Sequence, residues 1–228
     1  MDNKLRYVGI GIYSISEASR LTGINSQSIR RCLLGYSRKT KGGVKSQLPV
    51  FSTDYEPIDG NIALSFLDLT EMLFASQFRT YGVSWHTIRL VSQMAAEQLK
   101  SGHPFSMYTF KTDGKAIFLR TLEENPKLLD IVTGQYQIDE IIDPYLYDRL
   151  DFQFDMASSW WPQGKDRGVV VDPKRSFGRS IVDTCGIPTT TLMESYRTTN
   201  SISKVASWYE ISEKAVKDAV EFEQRLVA

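Results

Sequence analysis

"SISEASRLTGINSQSIRRCLLG", residues 14–35, decides how the first part of the chain is read. Ser14 or Ser16 offers a helix N-cap, because a short hydroxyl can accept from the free amides of a first turn. Ile15, Ala18 and Leu21 recur at helical spacing, and Gly23 supplies the backbone freedom that a tight turn needs after roughly two helical turns. Asn25 or Ser26 caps a second helix. Ile29 and Leu33 face inward on it, Ser26, Gln27, Arg30 and Arg31 face outward, and Gly35 ends it. Two short helices hinged at Thr22-Gly23, the second with a polar and basic outer face, read as a helix-turn-helix or as a solvated helical hairpin.

Charge separates these readings better than helix pattern does. The formal net charge is zero, yet residues 1–50 hold nine Lys or Arg against Asp2 and Glu17, a net of +7. Residues 51–150 are net −6 and residues 151–228 net −1. Phosphate is repelled by the acidic middle, so nucleic-acid contact is expected at the N-terminal module alone. In a helix-turn-helix the second helix enters the major groove, where Gln and Arg reach base edges and short Ser side chains or helix N-terminal amides hold phosphate. "GYSRKTKGGVKSQLPVF" (35–51) follows as a basic loop leading into a short strand, with "NIALSF" (61–66) as a second strand. The pattern is that of a winged helix-turn-helix. The candidate DNA-contacting residues are Ser26, Gln27, Ser28, Arg30 and Arg31 on the helix and Arg38, Lys39, Lys41 and Lys45 in the wing.

Other classes find little support. Hydrophobic residues make up 42% of the chain, ample for packed cores, but no run approaches eighteen apolar residues and the N-terminus lacks signal-peptide features. A soluble, cytoplasmic protein is expected. Cys32 and Cys185 stand far apart with no clustered His or Cys, so small core residues are expected rather than a disulfide framework or metal site. His86 and His103 have no nucleophile or carboxylate at a telling spacing, so neither an enzyme nor a cofactor is expected. "GIG" at Gly9–Gly11 is a fragment of a nucleotide fingerprint and reads as a flexible lead-in.

Residues 65–102 carry two amphipathic helices, the first opened by Ser65 or Asp68 and stopped by Gly82, the second capped by Ser84 and ended by Gly102. The order of helix-turn-helix, wing and "LSFLDLTEMLFASQFRTYGVSWHTIR" resembles the N-terminal domain of MerR-like regulators. In that resemblance Arg30 matches the phosphate-contacting arginine, while Arg31 and Cys32 stand where the family has two tyrosines. No long dimerising coiled coil with effector cysteines follows, so effector control of the usual MerR kind is not implied.

"SMYTFKTDGKAIFLRTL" (106–122) alternates apolar residues on both sides of Thr-Asp-Gly-Lys and reads as a β-hairpin. "NPKLLDIVTG" (125–134) reads as a short helix, and residues 139–155 fit helix or strand. Trp160, Trp161 and Pro162 form an aromatic cluster that seals a joint between modules, stacks on bases or anchors a partner. A strand at residues 169–171 follows.

The last segment resembles the domain-of-unknown-function family 433. The matching residues are Asp172, Pro173, Phe177, Gly178, Arg179, Ile187, Pro188 and Thr189, then Val205, Ala206, Tyr209, Val216 and Ala219. Three helices are expected, capped by Thr189 or Thr190, by Ser203, and by Ser212 with Glu213. The last two form a second helix-turn-helix-like pair whose mixed surface charges suit protein contact more than a DNA groove.

The expected fold is α+β and mainly helical. Its parts are a MerR-like winged helix-turn-helix domain (1–105), a β-hairpin and connecting segment (106–165) and a three-helix C-terminal domain (166–228). Nearly end to end, the combination resembles VapB-like antitoxins encoded beside a PIN-domain ribonuclease toxin. The resemblance implies an antitoxin that blocks the toxin and binds its own operator, and operator symmetry makes a homodimer the expectation. The alternative is a protein-interaction scaffold whose helix-turn-helix is structural.

Overall fold

The computed structural model describes residues 9–40, 43–124 and 147–226. It is an α+β fold, mainly helical, with small antiparallel sheets. The expected helix at 125–134 lies outside the described residues.

Local capping explains the first elements. Strand β1 (Tyr13–Ser14) runs directly into α1 (Ile15–Thr22), where Ser14 and Glu17 form a reciprocal capping box and Gly23 closes the helix in the left-handed conformation. Asn25 caps α2 (Ser26–Leu34), its side chain accepting from the Gln27 amide. Strands β2 (Tyr36–Thr40) and β3 (Gly43–Gln47) pair with each other, so the wing is a hairpin within the basic segment. The strand expected in "NIALSF" is β4 (Ala63–Leu64), and it pairs with β1 instead of with the wing.

Helices α3 (Phe66–Thr80) and α4 (Trp85–Leu99) follow, with Ser65 and Ser84 as their N-caps. Residues 106–122 do not form a hairpin. Ser106 ends the 3₁₀ turn Pro104–Ser106, and residues 108–122 lie in α5 (Tyr108–Glu124), on which Phe110, Gly114, Ile117 and Thr121 form one buried stripe. The hairpin of the middle segment lies later, as β5 (Leu150–Gln153) and β6 (Met156–Trp160). Strands β7 (Val169–Val171) and β8 (Ser180–Val182) complete a four-stranded sheet in the order β5-β6-β7-β8.

The C-terminal helices are α6 (Thr189–Thr199), α7 (Ile202–Tyr209) and α8 (Glu213–Arg225). Ser212 caps α8 as expected, whereas Ser201 rather than Ser203 caps α7. Thr189 lies inside α6 and caps nothing, because its hydroxyl donates to the buried Glu223 carboxylate at 2.5 Å.

The described residues form two hydrophobic cores. The larger gathers Ile15, Ile29, Leu69, Phe78, Ile88, Phe105 and Phe110 with Trp160 and Val171; the smaller gathers Val182, Leu192, Val205 and Val216. Trp160 is thus a core residue at the sheet, while the Trp161 indole donates to Asp151 at 2.6 Å. The "GIG" stretch is packed, because the Gly11 carbonyl accepts from the Tyr55 hydroxyl and the Ile10 carbonyl accepts from the Phe66 amide. Both cysteines are free. Cys32 is buried, its thiol pushed up to about 12 by desolvation, and Cys185 is half-buried. Among the described residues no helix is long and apolar enough to cross a membrane.

Candidate nucleic-acid interface

Helix α2 is anchored by Ile29, Cys32 and Leu33, all buried, which turns Gln27, Arg30 and Arg31 outward to solvent. Ser26 and Ser28 are half-buried in the first turn, beside amides that carry the positive end of the helix dipole. The Arg31 guanidinium lies 5.4 Å from the centre of the Tyr36 ring, tying the end of α2 to the start of the wing.

The wing is positioned by backbone geometry. Gly35 adopts φ 68° and ψ −170°, and a Cβ there would lie 2.2 Å from the Gln47 carbonyl oxygen, so helix and hairpin meet only through glycine. Ser37 and Ser46 join the strands through their hydroxyls at 2.8 Å. Arg38 pairs in register with Lys45, and Lys39, which is exposed, pairs with Val44. Lys41 lies outside the described residues. At the base of the wing, Arg89 from α4 donates to the carbonyls of Leu48 (2.5 Å) and Pro49 (3.0 Å) and to the Gln47 side chain (3.4 Å). No local sequence signal marks Arg89 for this task, because its partners are some forty residues away.

The helix end and wing also present apolar groups. Leu34, Tyr36, Val44 and Leu48 are exposed at 61%, 45%, 65% and 70%. The surface is therefore mixed rather than purely basic.

A second group of polar residues comes from the chain leaving the wing, the start of α3 and the segment after α4. His103, read from the sequence as having no carboxylate at a telling spacing, places Nε2 at 2.8 Å from Asp54 Oδ1 and Nδ1 at 3.9 Å from Asp68 Oδ1. Asp68 is the capping-box residue of α3; its Oδ2 accepts from the amides of Ser65 (2.8 Å) and Asp54 (3.3 Å). Glu71, one turn further along α3, accepts from the amide and hydroxyl of Ser106 through Oε1. Burial raises the Asp68 carboxyl to about 6 and that of Glu71 to about 7. The His103 hydrogen bond holds Asp54 below the usual carboxylate range. For His103 burial opposes the charged ring, but the hydrogen bond to Asp54 and the surrounding carboxylates outweigh it and raise its pKa.

No family model matches the chain. A protein of Mycobacterium tuberculosis (strain ATCC 25618 / H37Rv) described as "Putative antitoxin VapB45" is 24% identical to it, with 93% of each chain covered. The X-ray crystal structure of Rv2018 from Mycobacterium tuberculosis matches with a TM-score of 0.72 at 22% identity, covering 94% of this chain and 99% of that one. That likeness shows a shared fold.

Proposed function

We propose that this chain is an antitoxin that binds operator DNA through its N-terminal module and a PIN-domain ribonuclease through its C-terminal module. The observation that carries the DNA half is the outward face of α2, where Gln27, Arg30 and Arg31 are exposed beside a hairpin made from the basic segment. A helix of this length presents its first two turns to a major groove while the hairpin reaches neighbouring phosphates. The contacts are assigned to Ser26, Gln27, Ser28, Arg30, Arg31, Arg38, Lys39, Lys41 and Lys45. The antitoxin half is supported by the end-to-end likeness to the mycobacterial protein described above. On the C-terminal module, Trp208 of α7 is 62% exposed, and an exposed indole suits a protein contact better than it suits solvent. A homodimer would match a two-fold operator.

Fluorescence anisotropy tests the DNA half, using the duplex immediately upstream of the chain's own gene, a scrambled duplex as control and a series of salt concentrations. The proposal requires preference for the upstream duplex and a steep salt dependence. Absence of binding at low salt would refute it. The exposed Leu34, Tyr36, Val44 and Leu48 favour a second reading, in which this face meets protein and the helix-turn-helix is a scaffold. Co-expression with a PIN-domain protein encoded beside the gene tests the toxin half, a stable copurified complex being expected.

A further inference from the structure

Three segments distant in sequence converge on one polar spot that runs from the buried Asp68 through the half-buried His103 to the exposed Asp54. Asp54 lies in the chain that leaves the wing, Asp68 in the first turn of α3, and His103 just before the 3₁₀ turn Pro104–Ser106. One ligand atom from each lies within 4.8 Å of the other two. Donors around a tetrahedral zinc ion, at about 2.1 Å from the metal, stand about 3.4 Å apart; because Asp54 and Asp68 face different nitrogens of the ring, one ion takes a single His103 nitrogen, and the ring and the exposed Asp54 turn toward the fixed Asp68.

Hydrogen bonding within the protein leaves this spot incomplete. Asp68 is 1% exposed, and its Oδ1, which faces the His103 ring, has no hydrogen-bond partner. Its other oxygen is fully engaged by two backbone amides, so the side chain cannot turn to satisfy Oδ1 without giving those up. A buried carboxylate oxygen with no donor is costly, and native proteins rarely leave one so. Nearby, Glu71 repeats the situation, with Oε1 held by Ser106 and Oε2 unpartnered. Three carboxylates thus surround one imidazole, a set whose negative charge a dication would offset.

We propose that Asp54, Asp68 and His103 bind a divalent cation of the zinc type, with Glu71 as a nearby outer carboxylate. The imidazole nitrogen selects against Mg²⁺ and Ca²⁺, which take oxygen ligands, and favours Zn²⁺, Co²⁺ or a similar ion. Asp54 forms the solvent side of the site, leaving room there for water as a fourth ligand. The ion joins the chain leaving the wing to α3 and to the 3₁₀ turn, which makes wing placement sensitive to metal. Neither the DNA nor the toxin reading is needed for this site.

The test uses the full chain without an affinity tag, stripped with a chelator and dialysed at pH 7.5. Zn²⁺ is titrated by calorimetry, and Co²⁺ is followed by its visible absorption. The site requires saturation at one equivalent per chain and a higher melting temperature with Zn²⁺. Asp54→Asn and His103→Gln should each weaken binding about tenfold or more, while His86→Gln, at the other histidine, should leave it unchanged. Asp54 is surface-exposed, so its variant remains informative even if substitution of Asp68 prevents folding. Failure of the native chain to saturate would overturn the assignment, as would uptake that survives both Asp54→Asn and His103→Gln.

Discussion

The amide of Val50 donates to the carbonyl of Cys32 at 2.7 Å, so the last turn of α2 and the chain leaving the wing are hydrogen-bonded to each other. Helix and hairpin are therefore joined twice, through the chain at Gly35 and across this bond.

Gly35→Ala should be among the most damaging single changes in the N-terminal module. Its backbone conformation strains any other residue, and the added Cβ meets a carbonyl rather than a flexible side chain. A loss of about 2–3 kcal/mol is expected in urea denaturation. Gly23→Ala, where the same left-handed φ meets open space, should cost about 1 kcal/mol.

Arg89→Ala should release the wing without unfolding the core. It removes donors from two carbonyls and the Gln47 side chain, a loss of about 1–3 kcal/mol. Faster amide exchange confined to residues 43–50 would establish the role; exchange spread evenly over α3 and α4 would count against it.

Arg30→Ala and Arg31→Ala should both abolish preference for the upstream duplex, yet differ in stability. Arg31 packs over Tyr36, so its loss should cost about 0.5–1 kcal/mol, whereas Arg30→Ala should be neutral within about 0.5 kcal/mol. Replacing Lys39, Lys41 and Lys45 by Ala should weaken all sequences alike and reduce the salt slope by about one per lost phosphate contact.

Asp151 gives a pH signature in the central sheet. Burial raises its carboxyl, but donors from Lys165, Ser159 and Trp161, with the lysine charge, outweigh burial and hold it below its ordinary value. A depressed carboxylate stabilises the fold above the unfolded-state value and loses that contribution as pH falls through the folded one. Asp151→Asn should therefore be less stable than the native chain at pH 7, and the gap should narrow below about pH 4. Urea denaturation across that range checks it, and a gap constant with pH would contradict it.

Glu223 separates two kinds of bond between neighbouring elements. It accepts from the buried Thr189 hydroxyl at 2.5 Å and from the half-exposed Arg20 of α1 at 3.4 Å. Thr189→Val should cost about 1–3 kcal/mol because a buried acceptor loses its donor. A double-mutant cycle between Arg20 and Glu223 should return about 0–1 kcal/mol, since solvent screens that pair.

What was legible in the sequence was local. Ser14, Gly23, Asn25, Ser84 and Ser212 act within a few residues of themselves, and each sits where its chemistry places it; Gly35 is legible as a helix end, but its contact with the Gln47 carbonyl is not. At residues 106–122 the sequence predicts a hairpin because Asp113-Gly114 is a strong turn signal. The stripe of Phe110, Gly114, Ile117 and Thr121 has helical spacing, and Gly114 sits against the Phe110 ring where a Cβ would come within 2.8 Å. Packing of α5 on α4 thus prevails over turn propensity. The grouping of Asp54, Asp68 and His103 and the grip of Arg89 on the wing arise only from tertiary approach, which spacing in one sequence does not encode.

The sheet β5-β6-β7-β8 belongs to both cores, since Leu150, Ala157, Trp160 and Val171 pack into the larger and Val182 into the smaller. Strands β6 and β7 meet at Trp160 and Val171, on opposite sides of the boundary expected between residues 165 and 166. Severing the chain there would leave each half with a freshly bared strand edge and an aromatic or aliphatic face stripped of its cover. Such halves would gather into aggregates sooner than act as separate working parts.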